Sequence, residues 1–139
     1  MGRVGWGEPH PTPRTEGLRP LDVVAALDGA TILVDVRDDN ARRHQGRLPG
    51  DLHAPGPTLE SMADPVGGGH RPEFTPDRRI VVYCDTGRRS AAAAKRLARL
   101  GFTRVAYLEG GLGGWKAQGL EVDQPSADQH RPSDRRNDA

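Results

Sequence analysis

The sequence of 139 residues carries 20 lysine and arginine residues against 19 acidic ones, a formal net charge of +1. This length supports one compact core, and because the two signs of charge are interspersed, no basic stripe is present to bind nucleic acid. No segment approaches the roughly 20 apolar residues of a membrane span, and the first residues lack the apolar core of a signal peptide. We therefore expect an unexported, cytoplasmic domain that binds neither nucleic acid nor a membrane.

The two ends of the sequence differ from its middle. Residues 1–17 and 124–139 contain glycine, proline and charged residues with no apolar periodicity, so they cannot bury enough surface to offset the entropy of ordering. We predict disordered tails over both ranges. A single folded domain is predicted over residues 18–123.

Within that domain, apolar runs rich in β-branched residues alternate with helical patterns. In chain order, the predicted elements are a helix at 20–27, strands at 31–36 and 79–84, a helix at 90–100, a strand at 105–108 and a helix at 112–118. A further short strand is expected at 51–55, and the Gly- and Pro-rich segment 56–77 is predicted to be a long loop. Near-continuous apolar strands that alternate with helices are typical of an α/β fold with a parallel sheet.

The single cysteine, Cys84, lies at the carboxyl end of a predicted strand, just before a predicted helix. Open α/β sheets bind ligands at this edge, and the start of a helix directs amide N–H groups towards them. Helix N-termini and neighbouring arginines, here Arg88 and Arg89, lower the pKa of a thiol, whereas the carboxylate of Asp85 opposes its ionisation. We predict a depressed pKa for Cys84. The alternative is that Cys84 is a small buried hydrophobic residue.

One cysteine also excludes an intramolecular disulfide and any site that needs several cysteines. The histidines share no spacing typical of metal ligands, and the glycines at 67–69 fit no nucleotide-binding loop. We therefore expect no metal and no cofactor.

Four segments resemble the rhodanese family. The sequence Cys84-Asp85-Thr86-Gly87-Arg88-Arg89-Ser90 is similar to its active loop, C-x-x-G-x-R-S. LVDVR at 33–37 resembles its D-x-R strand end, and GRLPG at 46–50 stands where the family has G-H-I-P-G. LEGGLGGW at 108–115 resembles its L-x-G-G-[IL]-x-x-W segment. The resemblance extends over 18–122, and it departs from the family pattern at Arg47 and Asp51, which replace a histidine and a small residue.

This resemblance implies a small three-layer α/β domain, with a central parallel sheet of about five strands flanked by helices. It also implies a sulfurtransferase of the thiosulfate sulfurtransferase type, in which Cys84 carries sulfane sulfur as a persulfide. The donor would be thiosulfate or another persulfide, and the acceptor would be cyanide, a small thiol or a protein thiol. The amides of 85–90 would hold the outer sulfur, and Arg88 and Arg89 would orient the sulfonate of thiosulfate.

Two further positions are expected to support the loop. Asp35 is expected to accept hydrogen bonds from the loop, and Arg37 to hold the loop or face the pocket; the alternative is a structural ion pair. Ser90 is expected to cap its helix or to hydrogen-bond the thiolate. The expected substrate-binding residues are Arg37, Asp85, Thr86, Gly87, Arg88, Arg89 and Ser90.

Two other classes of function remain open at this stage. A persulfide carrier or a binding module that does not turn over would share the same loop, because fold alone does not separate them. Cysteine-dependent phosphatases and arsenate reductases have one residue more between cysteine and arginine than the four that separate Cys84 from Arg89. The smaller ring of amides suits a single sulfur better than a tetrahedral oxyanion, and a phosphatase would also need a general acid.

Overall fold

A computed structural model describes residues 15–66 and 68–124, which form a five-stranded parallel sheet with five helices. The elements in chain order are β1 (Glu16–Leu18), α1 (Pro20–Ala26), β2 (Thr31–Asp35), α2 (Asp39–Gln45), β3 (Leu52–His53), α3 (Gly56–Ala63), β4 (Arg79–Tyr83), α4 (Arg88–Leu100), β5 (Arg104–Leu108) and α5 (Gly111–Ala117). The strand order is β1-β5-β4-β2-β3. Strand β4 is therefore central, and the residue after it, Cys84, lies at the middle of the sheet edge.

Side chains of β4 alternate between the two faces of the sheet, as the pleat of a strand requires. Ile80, Val82 and Cys84 belong to one buried apolar cluster, and Val81 and Tyr83 belong to the other. Each fully buried aliphatic side chain stabilises the fold by about 1.5–3 kcal/mol. The strand that carries the cysteine is thus held by apolar packing on both faces.

The helices form two outer layers over these clusters. Leu59 of α3 and Leu97 of α4 pack into the cluster that contains Cys84. Val23 of α1 and both Leu112 and Trp115 of α5 pack into the opposite cluster. The expected three-layer α/β arrangement, with five parallel strands between helices, is confirmed. Among the helices of the described segments, none is long and apolar enough to cross a membrane.

Most elements with an apolar pattern lie close to their predicted positions, but two helices were not predicted. Helix α2 has no buried residue, so no apolar periodicity indicates it. Helix α3 occupies the first part of 56–77, where the prediction of a continuous loop is wrong. The helix was not predicted because it begins with Gly56 and Pro57, which are typical of loops. Its buried residues, Leu59 and Ala63, lie one turn apart on the same face.

The prediction of a tail over 1–17 is wrong for its last residues, because Glu16 and Gly17 belong to β1. They pair in parallel register with Ala106 and Tyr107 of β5. A three-residue edge strand is held by backbone hydrogen bonds and needs no apolar run of its own. Apart from residues 15–17 and 124, both predicted tails lie outside the described residues.

Candidate active site

The loop that follows β4 directs several hydrogen-bond donors at one sulfur atom. Cys84 is 1% exposed, and its Sγ lies 3.1 Å from the backbone nitrogen of Gly87 and 3.4 Å from that of Ser90. The Ser90 Oγ lies 3.5 Å from the same sulfur. Gly87 precedes α4 with φ of +100°, a left-handed conformation that glycine adopts without steric cost. The loop is built to surround a buried, electron-rich sulfur.

These donors change the acidity of Cys84. Burial alone would raise the pKa of its thiol, but the hydroxyl and amide of Ser90 and the amides of Gly87 and Thr86 outweigh it. The pKa of Cys84 therefore lies below its ordinary value, because each of these groups stabilises the thiolate more than the thiol. At neutral pH a larger fraction of Cys84 is therefore present as thiolate than for an ordinary cysteine.

We expect the thiolate of Cys84 to titrate at a lower pH in the folded protein than in the protein unfolded in urea. A depressed pKa means that the proton is lost earlier in the folded state, so the thiolate absorbance should appear earlier as the pH rises. The measurement is an ultraviolet pH titration, with Cys84→Ser subtracted to remove tyrosine absorbance. Equal midpoints in the folded and unfolded proteins would contradict the role assigned to the loop amides.

Ser90 is the third residue of α4 rather than its cap, so the capping interpretation is wrong. Its side chain is fully buried, and its Oγ lies 3.2 Å from the carbonyl oxygen of Gly87, to which it donates. A single hydroxyl proton can be donated either to that carbonyl or to Sγ of Cys84. Ser90 can therefore bond the carbonyl while Cys84 is a thiol and turn its proton to the sulfur when a thiolate forms.

The start of α5 fixes the orientation of the loop from behind. The amide of Leu112 donates to the Cys84 carbonyl at 2.8 Å, and the amide of Gly113 donates to the Asp85 carbonyl at 3.2 Å. A trans peptide directs its C=O and N–H groups to opposite sides. With its carbonyl bonded to α5, the Asp85–Thr86 peptide presents the Thr86 amide to the sulfur.

Arg37 and Asp35 form a buried ion pair beside this loop. The guanidinium donates to both carboxylate oxygens of Asp35 at 2.9 Å, and both side chains are at most 1% exposed. Arg37 also lies 3.4 Å from the carboxylate of Asp85 and donates to the Gly46 carbonyl at 2.7 Å. In the described part of the chain, the Asp35 side chain accepts from Arg37 and Arg42 and from no residue of the loop, so it supports the loop through Arg37.

The ion pair continues into residues that the sequence did not indicate as part of the site. Arg42 lies 2.8 Å from both Asp35 and Asp51, and the Tyr83 hydroxyl donates to Asp51 at 2.6 Å. Burial, together with the carboxylates of Asp35 and Asp51, raises the pKa of Tyr83, which stays protonated. Asp51, which departs from the family pattern, is thus a buried carboxylate that accepts hydrogen bonds from Arg42 and Tyr83. The unusual residue type at this position was the only feature of the sequence that could have indicated the network.

The remaining predicted site residues lie at the surface. Thr86, Arg88 and Arg89 are exposed, so in this structure the thiol is surrounded by amides and one hydroxyl rather than by guanidinium groups. Arg89 lines a groove between α3 and α4, next to the loop. Within 15–66 and 68–124, no group of three or more His, Cys, Asp or Glu side chains could hold a metal ion.

Comparison with known proteins agrees with this fold. The model of the Rhodanese-like domain family matches residues 20–118. The chain therefore belongs to the rhodanese-like family. Over 94 residues it is 34% identical to a sulfurtransferase of Allochromatium vinosum, an alignment that covers 68% of this chain and 79% of that protein. The family match and this relative indicate the sulfurtransferase class.

Solved structures share the architecture. A protein of unknown function from Rhodopseudomonas palustris, described as a possible tyrosine phosphatase, superimposes with a TM-score of 0.74 at 33% identity, covering 78% of this chain and 85% of its own. A thiosulfate sulfurtransferase from Pseudomonas aeruginosa superimposes with a TM-score of 0.66 at 24% identity, covering 81% of this chain but 21% of its own. The second likeness supports the fold alone.

Proposed function

We propose that this protein transfers sulfane sulfur from thiosulfate or a small persulfide to a thiol, through a persulfide on Cys84. The observation that carries the proposal is the convergence of the Gly87 and Ser90 donors on one buried sulfur with a lowered pKa. Such a site favours a nucleophilic thiolate and then accommodates a second, anionic sulfur in the same ring of donors. We propose the cytoplasm as its compartment, because reducing conditions preserve a free thiolate.

In the first step the Cys84 thiolate attacks the outer sulfur of thiosulfate. A sulfur–sulfur bond forms to Cys84, the bond between the two thiosulfate sulfurs breaks, and sulfite leaves with the electron pair. The charges balance, because a thiolate and a dianion become a persulfide anion and the sulfite dianion. This is the displacement chemistry of thiol–disulfide exchange and needs no general base once the thiolate is present.

The surrounding residues have separate roles in this proposal. The loop amides hold the outer sulfur of the persulfide, and Ser90 donates its hydroxyl proton to the anion. The exposed guanidinium groups of Arg88 and Arg89, on the first turn of α4, orient the sulfonate as the donor approaches. Arg37 is a positioning residue, since it reaches the loop through Asp85.

The test is the intact mass of the reduced protein after incubation with thiosulfate and then with cyanide. We expect wild type to gain the mass of one sulfur atom and to lose it to cyanide as thiocyanate appears. Cys84→Ser should do neither, which controls for adventitious sulfur. If wild type gained no sulfur from thiosulfate or from glutathione persulfide, the proposal would be wrong.

Two other functions are distinguished when the turnover of thiosulfate is measured beside the mass. A carrier would form the persulfide but show reduced turnover of thiosulfate, and a binding module would form no persulfide from any donor. The chain is also similar to a protein described as a possible tyrosine phosphatase. A phosphate ester should therefore be tested as a second substrate. Hydrolysis of p-nitrophenyl phosphate that depends on Cys84, without persulfide formation, would favour the phosphatase over the sulfurtransferase.

A further inference from the structure

A groove of about 500 Å³ lies between α3 and α4, beside the Cys84 loop. Val36 and Ala93 line it, and both belong to the same buried apolar cluster as Cys84. The other lining residues are Gly56, Pro57, Glu60, Arg89, Ala92 and Arg96. This volume lies within the range of pockets that bind small molecules.

The groove carries two guanidinium groups on one helix. Arg89 and Arg96 are seven residues apart on α4, which separates them by two turns, or about 10 Å along the helix axis. Arg89 lies at the end nearest Cys84, since it directly precedes Ser90. The positions of the two guanidinium groups are therefore separated along the helix by a distance that a small bifunctional molecule can span, and Arg96 at the distal end faces Glu60.

Arg96 is only weakly engaged. Its Nη2 lies 3.4 Å from the Gly56 carbonyl, and its Nε lies 3.5 Å from a carboxylate oxygen of Glu60. That Nε is buried and makes no hydrogen bond within the described residues. An arginine has five N–H donors in a planar fork that matches a carboxylate. Among the described residues Arg96 retains unused donors, and the position of Glu60 shows that a carboxylate oxygen fits within 3.5 Å of the guanidinium.

We propose that this groove is the acceptor subsite, and that it selects small thiols which carry a carboxylate. The inference rests on the proposed function and assigns its acceptor class. Arg96 binds the carboxylate of the acceptor, while the thiol reaches the outer sulfur on Cys84 at the other end of the groove. Glu60 competes with that carboxylate for Arg96, so it weakens binding of acidic acceptors.

The transfer step balances without a further reactant. The acceptor thiolate attacks the outer sulfur of the Cys84 persulfide, a new sulfur–sulfur bond forms, and the bond to the Cys84 Sγ breaks. Cys84 leaves as the thiolate that the loop amides stabilise. The product is the persulfide of the acceptor, and the enzyme returns to its starting state.

The first test measures binding and does not depend on sulfur transfer. S-Methylglutathione carries two carboxylates but no thiol, and its affinity can be measured by calorimetry. Arg96→Gln should weaken its binding about tenfold or more, as expected for lost charge-assisted hydrogen bonds. Glu60→Gln should strengthen binding about two- to fivefold, in proportion to an exposed ion pair. Arg99→Gln removes the same charge from an exposed position on α4 that does not line the groove, and it should bind as wild type does.

The second test compares acceptors on the Cys84 persulfide. Arg96→Gln should raise KM for glutathione with little change in kcat, and should leave the uncharged thiol 2-mercaptoethanol unaffected. Persulfide formation from thiosulfate should be equal in wild type and in Arg99→Gln, whose position lies outside the groove.

Equal losses for both thiols, or an equal effect of Arg99→Gln, would overturn the subsite. Absence of S-methylglutathione binding to wild type would overturn it as well. If wild type formed no persulfide from any donor, the proposed function itself would fail, whereas the binding measurement would still decide whether the groove takes carboxylates.

Discussion

Gly111→Ala is expected to lower the free energy of unfolding by at least about 2 kcal/mol and to abolish persulfide formation on Cys84. Gly111 has φ of +59°, and a Cβ there would lie 2.5 Å from the Asp85 carbonyl and from the Cys84 carbonyl oxygen. These are backbone atoms of the Cys84 loop, so they cannot move aside as a flexible side chain could. A left-handed non-glycine residue alone costs roughly 1–2 kcal/mol, and displacement of the loop adds to it.

The matched control is Gly119→Ala at the other end of α5. Gly119 has φ of +73°, but no atom of residues 15–66 or 68–124 lies within 4 Å of a Cβ built there. Gly119→Ala should lose only the free energy that a left-handed alanine costs, and its Cys84 should react as in wild type. Urea unfolding curves and the mass assay measure the two effects. Equal losses of stability, with equal persulfide formation, would show that contact with the loop does not matter.

Arg37→Met is expected to destabilise the protein by about 3–5 kcal/mol, the range observed when one partner of a buried ion pair is removed. Asp35 is fully buried, and Arg37 supplies two of the hydrogen bonds to its carboxylate. Methionine fills much of the volume of the arginine side chain. It leaves the negative charge of Asp35 paired with Arg42 alone among the described residues. Because small domains are stable by only about 5–15 kcal/mol, the loss is a large share of the total.

The effect should depend on pH in a defined direction. Burial would raise the pKa of Asp35, but the hydrogen bonds from Arg37 hold it below its ordinary value. In wild type, Asp35 therefore contributes stability above its unfolded pKa, and this stability is lost as the pH falls through the folded value. In the variant the carboxylate is poorly compensated, so protonation costs less, and the difference between the two proteins should shrink in acid.

Arg43→Met is the comparison for this prediction. Arg43 pairs with Asp39 at 3.1 Å on the exposed face of α2, and such pairs contribute about 0.3–0.5 kcal/mol. Thermal or urea unfolding at neutral and acidic pH measures both variants. A loss as small for Arg37→Met as for Arg43→Met would mean that Asp35 finds other compensation, which would contradict the assigned role of the ion pair.

The sequence predicts those parts of the fold that carry their own local signal. Strands β2, β4 and β5 have near-continuous apolar runs, and their observed bounds lie within one residue of the predicted ones. The glycine at 101 marks the end of α4, where it adopts φ of +117°. Elements without an apolar pattern of their own were not predicted. Strand β1 depends on pairing with β5, and α2, whose N-cap Asp38 accepts from the Ala41 amide at 2.8 Å, has no buried residue.

The candidate site divides in the same way. The loop from Cys84 to Ser90 is contiguous, so its spacing predicts both the location of the thiol and the lowering of its pKa. The buried network joins Arg42, Asp51 and Tyr83, and the last two are separated by 32 positions. Charged residues in a sequence are normally exposed. Only the folded chain shows that these side chains are buried together.

The alternation of side chains along β4 affects how the protein can misfold. A slip of β4 by one residue against β2 and β5 would exchange the faces of all its side chains. Cys84 would turn towards α1 and α5, and the Tyr83 hydroxyl would lose Asp51, its hydrogen-bond partner. The same error would remove the Cys84 thiol from its ring of donors and leave the buried Asp51 carboxylate short of one hydrogen bond. Misfolded molecules of this kind would lose the environment of Cys84 and their stability together, so quality control that recognises instability would also remove molecules whose thiol is misplaced.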